Sequence, residues 1–160
     1  MPELIRPTIA VRDSFLAGER AACAADGTPS EWLDRAQADF AAFVAASRED
    51  REMWGVPTTS LWYVRGDAYL GSLAIRHRLT AELRRDGGHI GYNVVPQHRR
   101  QGHATAMLAG ALVLCRPFGL TKVLVTCDDT NVGSRRVIEA NGGVLELVAS
   151  DGTCRYWIRL

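Results

Sequence analysis

Two adjacent arginines stand where a helix is predicted to begin, and their position raises the first chemical question. The stretch VVPQHRRQGHATAML, residues 94–108, runs through a proline and then Arg99 and Arg100 into this helix. The first N–H groups of a helix carry partial positive charge, so acidic side chains are favoured there and arginines are not. An anion would resolve the conflict by accepting hydrogen bonds from these N–H groups and from a guanidinium. Gly102 would let the backbone approach that anion, so the stretch predicts a phosphate-binding turn.

Other interpretations of this stretch follow from the same residues. Both arginines could simply point into water, an alternative that spacing alone leaves open. No GxxxxGK motif occurs, and GGHIGY lacks the GxGxxG spacing of dinucleotide folds, which disfavours nucleoside triphosphate and NAD sites. His98 and His103 are five residues apart, but no third ligand with suitable spacing is apparent, so no metal is predicted.

Composition limits the class of protein. With 160 residues, 47% of them apolar and 23% charged, and a net charge of +1, the chain predicts one folded domain over 1–160. A disordered chain and a globally basic nucleic-acid binder are both disfavoured, so an anion site must be local. The four cysteines form no CxxC pair, and no signal peptide or apolar run of ~18 residues is present. We therefore expect a cytoplasmic protein that neither spans nor binds a membrane.

The hydrophobic pattern predicts the elements that position the turn. Residues 12–27 and 30–50 have helical spacing, and Ser30 is expected to cap the second helix. A short strand is expected near Ile9, a hairpin across Gly66-Asp67, and an irregular segment over 79–88.

The second half of the chain alternates between strands and helices. The predicted order is a strand over 89–95, a helix over 102–116, a strand over 122–128, a helix over 130–143 and a closing hairpin around Asp151-Gly152. Antiparallel strands before and after a strand-helix-strand unit imply an α/β fold with a mixed sheet and helices on both faces. Such sheets bind ligands at the carboxyl ends of their parallel strands, where the phosphate-binding turn lies.

The turn and several later segments resemble a known family. RRQGHA, with Arg99, Gly102 and Ala104, resembles the pyrophosphate-binding signature of the GNAT superfamily of acetyl-CoA-dependent N-acetyltransferases. AIRHRL, GGHIGYNVVP, KVLVTCDDTN, NVGSRRVIEANGG and RYWI follow the order found in a bacterial group of predicted acetyltransferases. The resemblance covers roughly residue 55 to the C-terminus. It implies a GNAT-like fold with a central mixed, mostly antiparallel sheet of six to seven strands and about four helices.

The resemblance also implies where acetyl-CoA would bind. The Arg99 and Arg100 pair and the backbone of the turn would hold the pyrophosphate; the turn residues are Gln101, Gly102, His103, Ala104 and Thr105. The strand end Asn93 to Val95 would pair with the pantetheine arm, and an N–H near Val94 would polarise the thioester carbonyl. Asn131 and Ser134 occupy cofactor-facing positions, and helix capping is their structural alternative.

One position departs from the family pattern. A tyrosine that protonates the leaving thiolate in many members is replaced here by Ile138. Tyr156 is the candidate substitute, although a core position is its alternative, and the thiolate could also leave unassisted. Cys127 ends a central strand and is expected to be a small buried residue rather than a nucleophile.

The amine must lose a proton before it attacks. His89 is the first candidate base because its ordinary pKa lies near neutral pH, and Glu82 and His77 come next. A structural role is the alternative for His89, as for any lone histidine at a strand end.

These residues predict an acetyl-CoA-dependent N-acetyltransferase that acts directly on a primary amine of a small molecule or peptide. The alternative, motivated by Ile138, is a catalytically silent acyl-CoA-binding regulatory domain. RHRLTAELRR and QHRR could form a basic patch, but the nearly neutral net charge disfavours nucleic acid as a partner. Exposed sheet edges are compatible with a homodimer.

Overall fold

The computed structural model describes residues 1–160. Eight strands and six helices follow one another along the chain: β1 (Glu3–Ile5), α1 (Arg12–Asp26), α2 (Glu31–Ala38), α3 (Phe40–Arg48), β2 (Arg51–Met53), β3 (Val56–Arg65), β4 (Ala68–Arg76), α4 (Ala81–Arg85), β5 (Ile90–Val94), α5 (His103–Cys115), β6 (Lys122–Asp128), α6 (Val132–Ala140), β7 (Val144–Val148) and β8 (Thr153–Arg159). None of the helices combines the length and apolar character that a membrane span requires.

The strands form two sheets in which all paired neighbours are antiparallel. The first has the order β1–β3–β4–β5 with β2 also paired to β3, and the second has the order β6–β8–β7. The predicted α/β class and its mostly antiparallel pairing are confirmed. The single sheet expected from the sequence is divided, however, because β5 and β6 share no ladder.

His89 joins the two sheets at the point where they divide. Its N–H donates to the Leu124 carbonyl at 2.8 Å, and the Leu124 N–H donates to His89 Nδ1 at 2.9 Å. The His89 carbonyl accepts from the Arg76 N–H at 2.7 Å, which ties the same residue to β4. Beyond His89 the strands β5 and β6 separate and leave a gap between them.

Helices cover both faces of the sheets, as predicted, and an apolar core lies on each face. One packs beneath α5 and α6 and includes Leu73, Ile90, Met107, Leu108, Val125, Ile138 and Tyr156. The other packs beneath α1, α2 and α3 and includes Phe15, Leu33, Phe40, Trp62, Tyr69 and Val95. The first core contains residues of β5 and of β6, so it fixes the strands on both sides of the gap between them.

Several local predictions are confirmed, including the hairpin across Gly66-Asp67 and the helices α1, α5 and α6. The strand expected near Ile9 is wrong, because β1 lies at Glu3–Ile5 and residues 9–11 form a 3₁₀ turn. Thr8 caps this turn by accepting a hydrogen bond from the Ala10 N–H at 3.2 Å.

Two other local differences have the same physical cause, a side chain that caps a new helix. The helix predicted over 30–50 breaks at Asp39, whose carboxylate accepts from the Ala42 N–H at 3.1 Å and starts α3. Ser30 makes no side-chain capping bond to α2. The segment predicted as irregular contains α4, whose cap is Thr80, an acceptor for the Leu83 N–H at 3.1 Å.

The buried junction predicts a pH-dependent stability. His89 is 5% exposed, and burial, with Arg84 and Arg76 nearby, lowers its pKa to about 4. The unfolded imidazole binds a proton below its ordinary pKa of about 6.5 whereas the folded one does not, so stability falls as pH drops from there towards 4. We expect the free energy of unfolding to fall by on the order of 3 kcal/mol from this residue.

Urea unfolding of wild type and His89→Asn at several pH values measures this loss. Asparagine offers an acceptor oxygen near the Nδ1 position but does not titrate. The variant should therefore lose less of its free energy of unfolding in acid than wild type does. An equal decline in both proteins would contradict the assignment.

Candidate active site at the end of strand β5

A cleft of about 640 Å³ lies between the end of β5, the following turn, and the first turns of α5 and α6. It brings together most of the residues that the sequence assigns to cofactor binding: Asn93, Val94, Arg99, Arg100, Gly102, His103, Ala104, Thr105, Asn131 and Ser134. Asp26, Tyr92, His98, Gly133 and Val137 complete the lining. The side chains of Val95 and Gln101 do not line it. Val95 is buried against Gly18 of α1, and Gln101 is exposed and donates to the Gln97 carbonyl at 3.5 Å.

The turn before α5 is shaped to present backbone N–H groups. Gly102 has a φ of +83°, and a side chain there would meet no atom within 4 Å, so the glycine borders open space. The Ala106 N–H donates to the Gly102 carbonyl at 3.2 Å, which leaves the N–H groups of residues 103–105 without helical acceptors. No acidic residue and no side-chain cap lie in this first turn. The start of α5 is therefore an uncapped, electropositive end that faces the cleft.

Arg99 fixes the end of β5 and does not point freely into water. Its Nε donates to the Val94 carbonyl at 2.7 Å, and its Nη2 donates to Asn93 Oδ1 at 3.3 Å. The same Nη2 lies 3.5 Å from a carboxylate oxygen of Asp26, at the end of α1. Arg100 is exposed and makes no ion pair. The two guanidinium groups thus differ, since one is held by the protein and the other is free.

The direction of the backbone at the end of β5 leaves a donor facing the gap. The Val95 N–H donates to the Leu70 carbonyl of β4 at 2.9 Å. Because successive N–H groups of a strand point in opposite directions, the Val94 N–H points away from β4 and into the gap. Gly71 permits this arrangement, because a Cβ atom there would lie 2.2 Å from the Asn93 carbonyl oxygen.

The opposite wall of the cleft is the start of α6. Asn131 caps this helix, since its Oδ1 accepts from the Ser134 N–H at 3.1 Å. The hydroxyl groups of Ser134 and Tyr92 are hydrogen-bonded at 2.9 Å, so a side chain of β5 reaches α6 across the gap. Burial raises the pKa of Tyr92, which keeps its hydroxyl protonated at neutral pH. Sequence reasoning did not single out Tyr92.

A second cavity, of about 440 Å³, lies on the other face of β4 and β5, and we call it the aromatic trough. Its floor is made of small residues on adjacent strands: Ser60, Ser72, Ala74 and Gly91. Its walls include large aromatic side chains from α1 to β4: Phe15, Trp32, Phe43, Trp54, Trp62 and Tyr69. Tyr92 and Asn93 line both cavities, so the aromatic trough and the cleft meet at β5.

A buried carboxylate lies in the aromatic trough. Glu19 of α1 is 9% exposed and accepts a hydrogen bond from the Tyr69 hydroxyl at 2.5 Å. Burial raises the pKa of Glu19, the Tyr69 hydrogen bond opposes this, and Asp26 raises the pKa further. The preceding residue, Gly18, packs so closely on Val95 that a Cβ atom would lie 3.0 Å from its Cγ1. This contact places Glu19 near the end of β5.

The position of Glu19 in the sequence carries a signal for its burial. The apolar residues of α1 that face the core have helical spacing, and Glu19 falls among them, four residues after Phe15 and four before Cys23. A carboxylate on the apolar face of a helix is expensive to bury without a function or a partner.

Residues 11–144 match the model of a family described as an acetyltransferase (GNAT) domain. The chain belongs to the GNAT acetyltransferase family. The fold class, the enzyme class and the family resemblance drawn from the sequence are thereby confirmed. No curated protein sequence is similar to the chain at a significant level.

Solved structures of GNAT acetyltransferases share the fold at low sequence identity. RimJ from Mycobacterium smegmatis, in complex with CoA-disulfide, is 22% identical with a TM-score of 0.68, and the match covers 99% of this chain and 81% of that chain. The microcin self-immunity acetyltransferase MccE, in complex with acetyl-CoA and AMP, is 13% identical with a TM-score of 0.68 and coverages of 99% and 92%. A putative ribosomal-protein-serine acetyltransferase from Vibrio cholerae is 16% identical with a TM-score of 0.64 and coverages of 99% and 94%.

In this GNAT acetyltransferase, the three residues that the sequence nominated for catalysis line neither cavity. His89 is buried at the sheet junction, where its Nδ1 already accepts a hydrogen bond. Tyr156 is 1% exposed beneath α6, accepts from Arg135 at 3.0 Å and donates to Glu139 at 2.9 Å. Glu82 is exposed on α4. The residues adjacent to His89, Tyr156 and Glu82 in the sequence did not indicate these positions in the fold.

The structure also shows the surroundings of the other positions that the sequence singled out, namely His77, Cys127 and Ile138. His77 is hydrogen-bonded to the Thr59 hydroxyl at 2.8 Å and stacks on Phe118. Burial raises the pKa of the Cys127 thiol to about 11, so it is a poor nucleophile at neutral pH. Ile138 is fully buried in the core beneath α6.

Proposed function

We propose that the protein is an acetyl-CoA-dependent N-acetyltransferase that transfers acetyl directly to a primary amine of a small molecule or peptide. The observation that carries this proposal is the meeting of two cavities at Tyr92 and Asn93. One cavity has an uncapped helix start suited to phosphate groups, and the other has a buried carboxylate suited to an amine. Acetyl-CoA entering from one cavity and an amine entering from the other would meet at β5.

The residues of the cleft fit coenzyme A. The free N–H groups of 103–105 and the open side of Gly102 would receive the pyrophosphate, with the exposed Arg100 as its countercharge. Arg99 would act mainly by fixing Asn93 and Val94 at the end of β5. The gap beside β5 would take the pantetheine arm, and the acetyl-CoA and CoA complexes of structural neighbours support this use of the fold.

The groups around the gap supply what acetyl transfer to an amine requires. The Val94 N–H would stabilise the negative charge that develops on the carbonyl oxygen when the amine attacks. Glu19 would accept the proton of the amine, since burial raises its pKa and makes it a stronger base than an exposed carboxylate. Tyr92 would donate a proton to the departing thiolate, because its hydroxyl lies against α6, where Ile138 replaces the tyrosine expected from the family resemblance. In this scheme His89 and Tyr156 hold the architecture and Glu82 takes no part in catalysis.

The partner and location expectations remain part of the proposal. The four cysteines are free thiols, in keeping with a reducing cytoplasm. The edge strand β7 exposes Val144, Leu145, Leu147 and Val148, and such an edge supports the proposed homodimer. We keep one domain over 1–160 and an amine, not nucleic acid, as partner.

The direct test measures release of the CoA thiol from acetyl-CoA in the presence of a panel of amines, amino acids, polyamines and peptides. Thiol release that depends on an amine, with the acetylated amine found by mass spectrometry, is the expected result. The buried Ile138 favours one alternative, a silent acyl-CoA-binding domain. Calorimetric binding of acetyl-CoA without turnover of any amine would support that alternative instead.

The turn before α5 provides a matched pair of variants. Gly102 and Gly119 have similar φ values, +83° and +80°, and neither has an atom within 4 Å of a Cβ position. Valine should therefore strain both turns to a similar extent, but only at residue 102 would it occupy the path of the pyrophosphate. We expect Gly102→Val to weaken CoA binding at least about 10-fold by calorimetry, and Gly119→Val to retain it. Equal affinities in two folded variants would refute the placement of the pyrophosphate.

Glu19 predicts a characteristic pH profile. If it is the base, the wild-type kcat/KM rises with pH through the Glu19 pKa, which lies above the ordinary 4.5, as the carboxyl loses its proton. Glu19→Gln keeps an acceptor for Tyr69 but cannot take a proton. We expect kcat/KM of the variant to be lower than that of wild type by about 100-fold or more on the high-pH plateau. The ratio of the two kcat/KM values should grow with pH and then level off.

Tyr92→Phe serves as the comparison in the same assay. It removes the proton donor and leaves Glu19 intact, so kcat should fall while the acidic limb of the profile persists. A constant ratio between wild type and Glu19→Gln at all pH values would show that Glu19 is structural.

A further inference from the structure

At the other end of the aromatic trough from Glu19 lies a buried cation that makes no ion pair. Arg76, at the end of β4, is 8% exposed and lines the aromatic trough. Burial lowers the pKa of Arg76, and the charge of nearby Asp86 opposes this. None of the ion pairs in the structure involves it. Its Nη1 donates to the carbonyls of Gly87 and Gly88 at 2.7 and 3.1 Å. A buried guanidinium normally has a carboxylate or phosphate beside it, because the loss of hydration is otherwise not offset.

The edge of the guanidinium opposite these carbonyl bonds is unused. Nε is buried and has no hydrogen-bond partner, and no hydrogen bond is donated by Nη2. Trp54 covers the group with its ring centroid 4.3 Å from Cζ, and Gly91 lets the group pack closely on β5, since a Cβ atom there would lie 3.3 Å from Nη2. Trp54 itself has a φ of +53°, a left-handed conformation that is strained for a bulky residue. The surroundings thus hold the guanidinium in place while its Nε–Nη2 edge lacks an acceptor.

We infer that Arg76 binds a carboxylate of the acceptor, so that the acceptor is an amine that also carries a carboxylate. This inference rests on the proposed function, since it assigns the substrate class of the same active site. The Nε and Nη2 N–H groups form a planar fork that matches the two oxygens of a carboxylate. Arg51 also lines the aromatic trough but is exposed, so Arg76 is its one buried guanidinium. One buried guanidinium neutralises one negative charge, which favours a carboxylate over a doubly charged phosphate.

The positions along β5 set the spacing between the two groups of the acceptor. Gly91 lies beside Arg76, whereas the acetyl group would lie near Asn93 and Val94, two to three residues further along the strand. A strand rises about 3.3 Å per residue, so the amine and the carboxylate would be separated by roughly 7 to 10 Å. An α-amino acid is too short for this distance. The small residues of the floor and the aromatic walls between the two ends suit an apolar spacer.

A pair of amines that differ only in charge tests the inference in the wild-type enzyme. The probes are ε-aminocaproate and its neutral counterpart ε-aminocaproamide, with glycine as the short control. We expect kcat/KM for thiol release to be about 10- to 100-fold higher for the acid than for the amide, the range of one charged hydrogen-bonded pair. The difference should appear chiefly in KM, and glycine should be a poor substrate. Equal values for acid and amide would overturn the inference.

Two variants separate carboxylate binding at Arg76 from a general effect of positive charge on the protein surface. Arg76→Gln removes the cation at the subsite and should abolish the preference for the acid, so that acid and amide give equal kcat/KM values in this variant. Arg78→Gln removes an exposed arginine two residues away that does not line the aromatic trough, and the preference should persist. A preference that survives in folded Arg76→Gln would overturn the inference. If this variant fails to fold, the acid and amide comparison in wild type still decides.

Binding without acetyl-CoA keeps the two proposals distinguishable. Both probes can be titrated against the wild-type protein by quenching of tryptophan fluorescence, because Trp54 and Trp62 line the aromatic trough. Tighter binding of the acid supports the Arg76 subsite even if no amine is acetylated, an outcome that would refute only the proposed enzyme activity. Acetylation of both probes with equal affinities would leave the activity standing and refute the subsite.

Discussion

The separation of β5 from β6 beyond His89 is the constraint on which the rest of the site depends. Hydrogen bonds from His89 to Leu124 join the two sheets at one residue, and no ladder continues past it. The strand end is therefore left with an N–H at Val94 that no neighbouring strand uses, in a gap lined by Tyr92 and the start of α6. Because residues of both sheets share the core beneath α5 and α6, packing fixes β5 and β6 on either side of the gap.

Helix α1 connects the two cavities on either side of that gap. Gly18 lets the helix pack directly on Val95, which places Glu19 in the aromatic trough beside Tyr69. Its last turn supplies Asp26, which pairs with Arg99 at the cleft. One helix thus places one carboxylate in the aromatic trough and a second carboxylate at the cleft. Glu19 and Arg76, at the two ends of the aromatic trough, are both buried.

The sequence predicted the structural elements that are determined by residues close together along the chain. Gly66-Asp67 favours a two-residue hairpin, and the pattern around Gly102 predicts the turn that precedes α5. Most of the nominated cofactor residues lie together in the cleft because they come from this one turn and from the adjoining strand and helix ends. The break at Asp39 and the short helix α4 were missed because Asp39 and Thr80 act through single capping bonds. Such bonds compete with helix continuation but leave the hydrophobic pattern unchanged.

The sequence by itself determined the α/β class, the family resemblance and the turn before α5, since each is encoded in residues close together along the chain. Only the tertiary structure decided which side chains face the gap. It placed His89 and Tyr156 in buried hydrogen-bonded positions and brought Glu19, Tyr92 and Arg76 to the cavities from three different elements. The physical reason is that burial and partners determine whether a titratable group serves structure or chemistry. Those partners lie 35 residues away for His89 and 50 for Glu19, distances that no local pattern reveals.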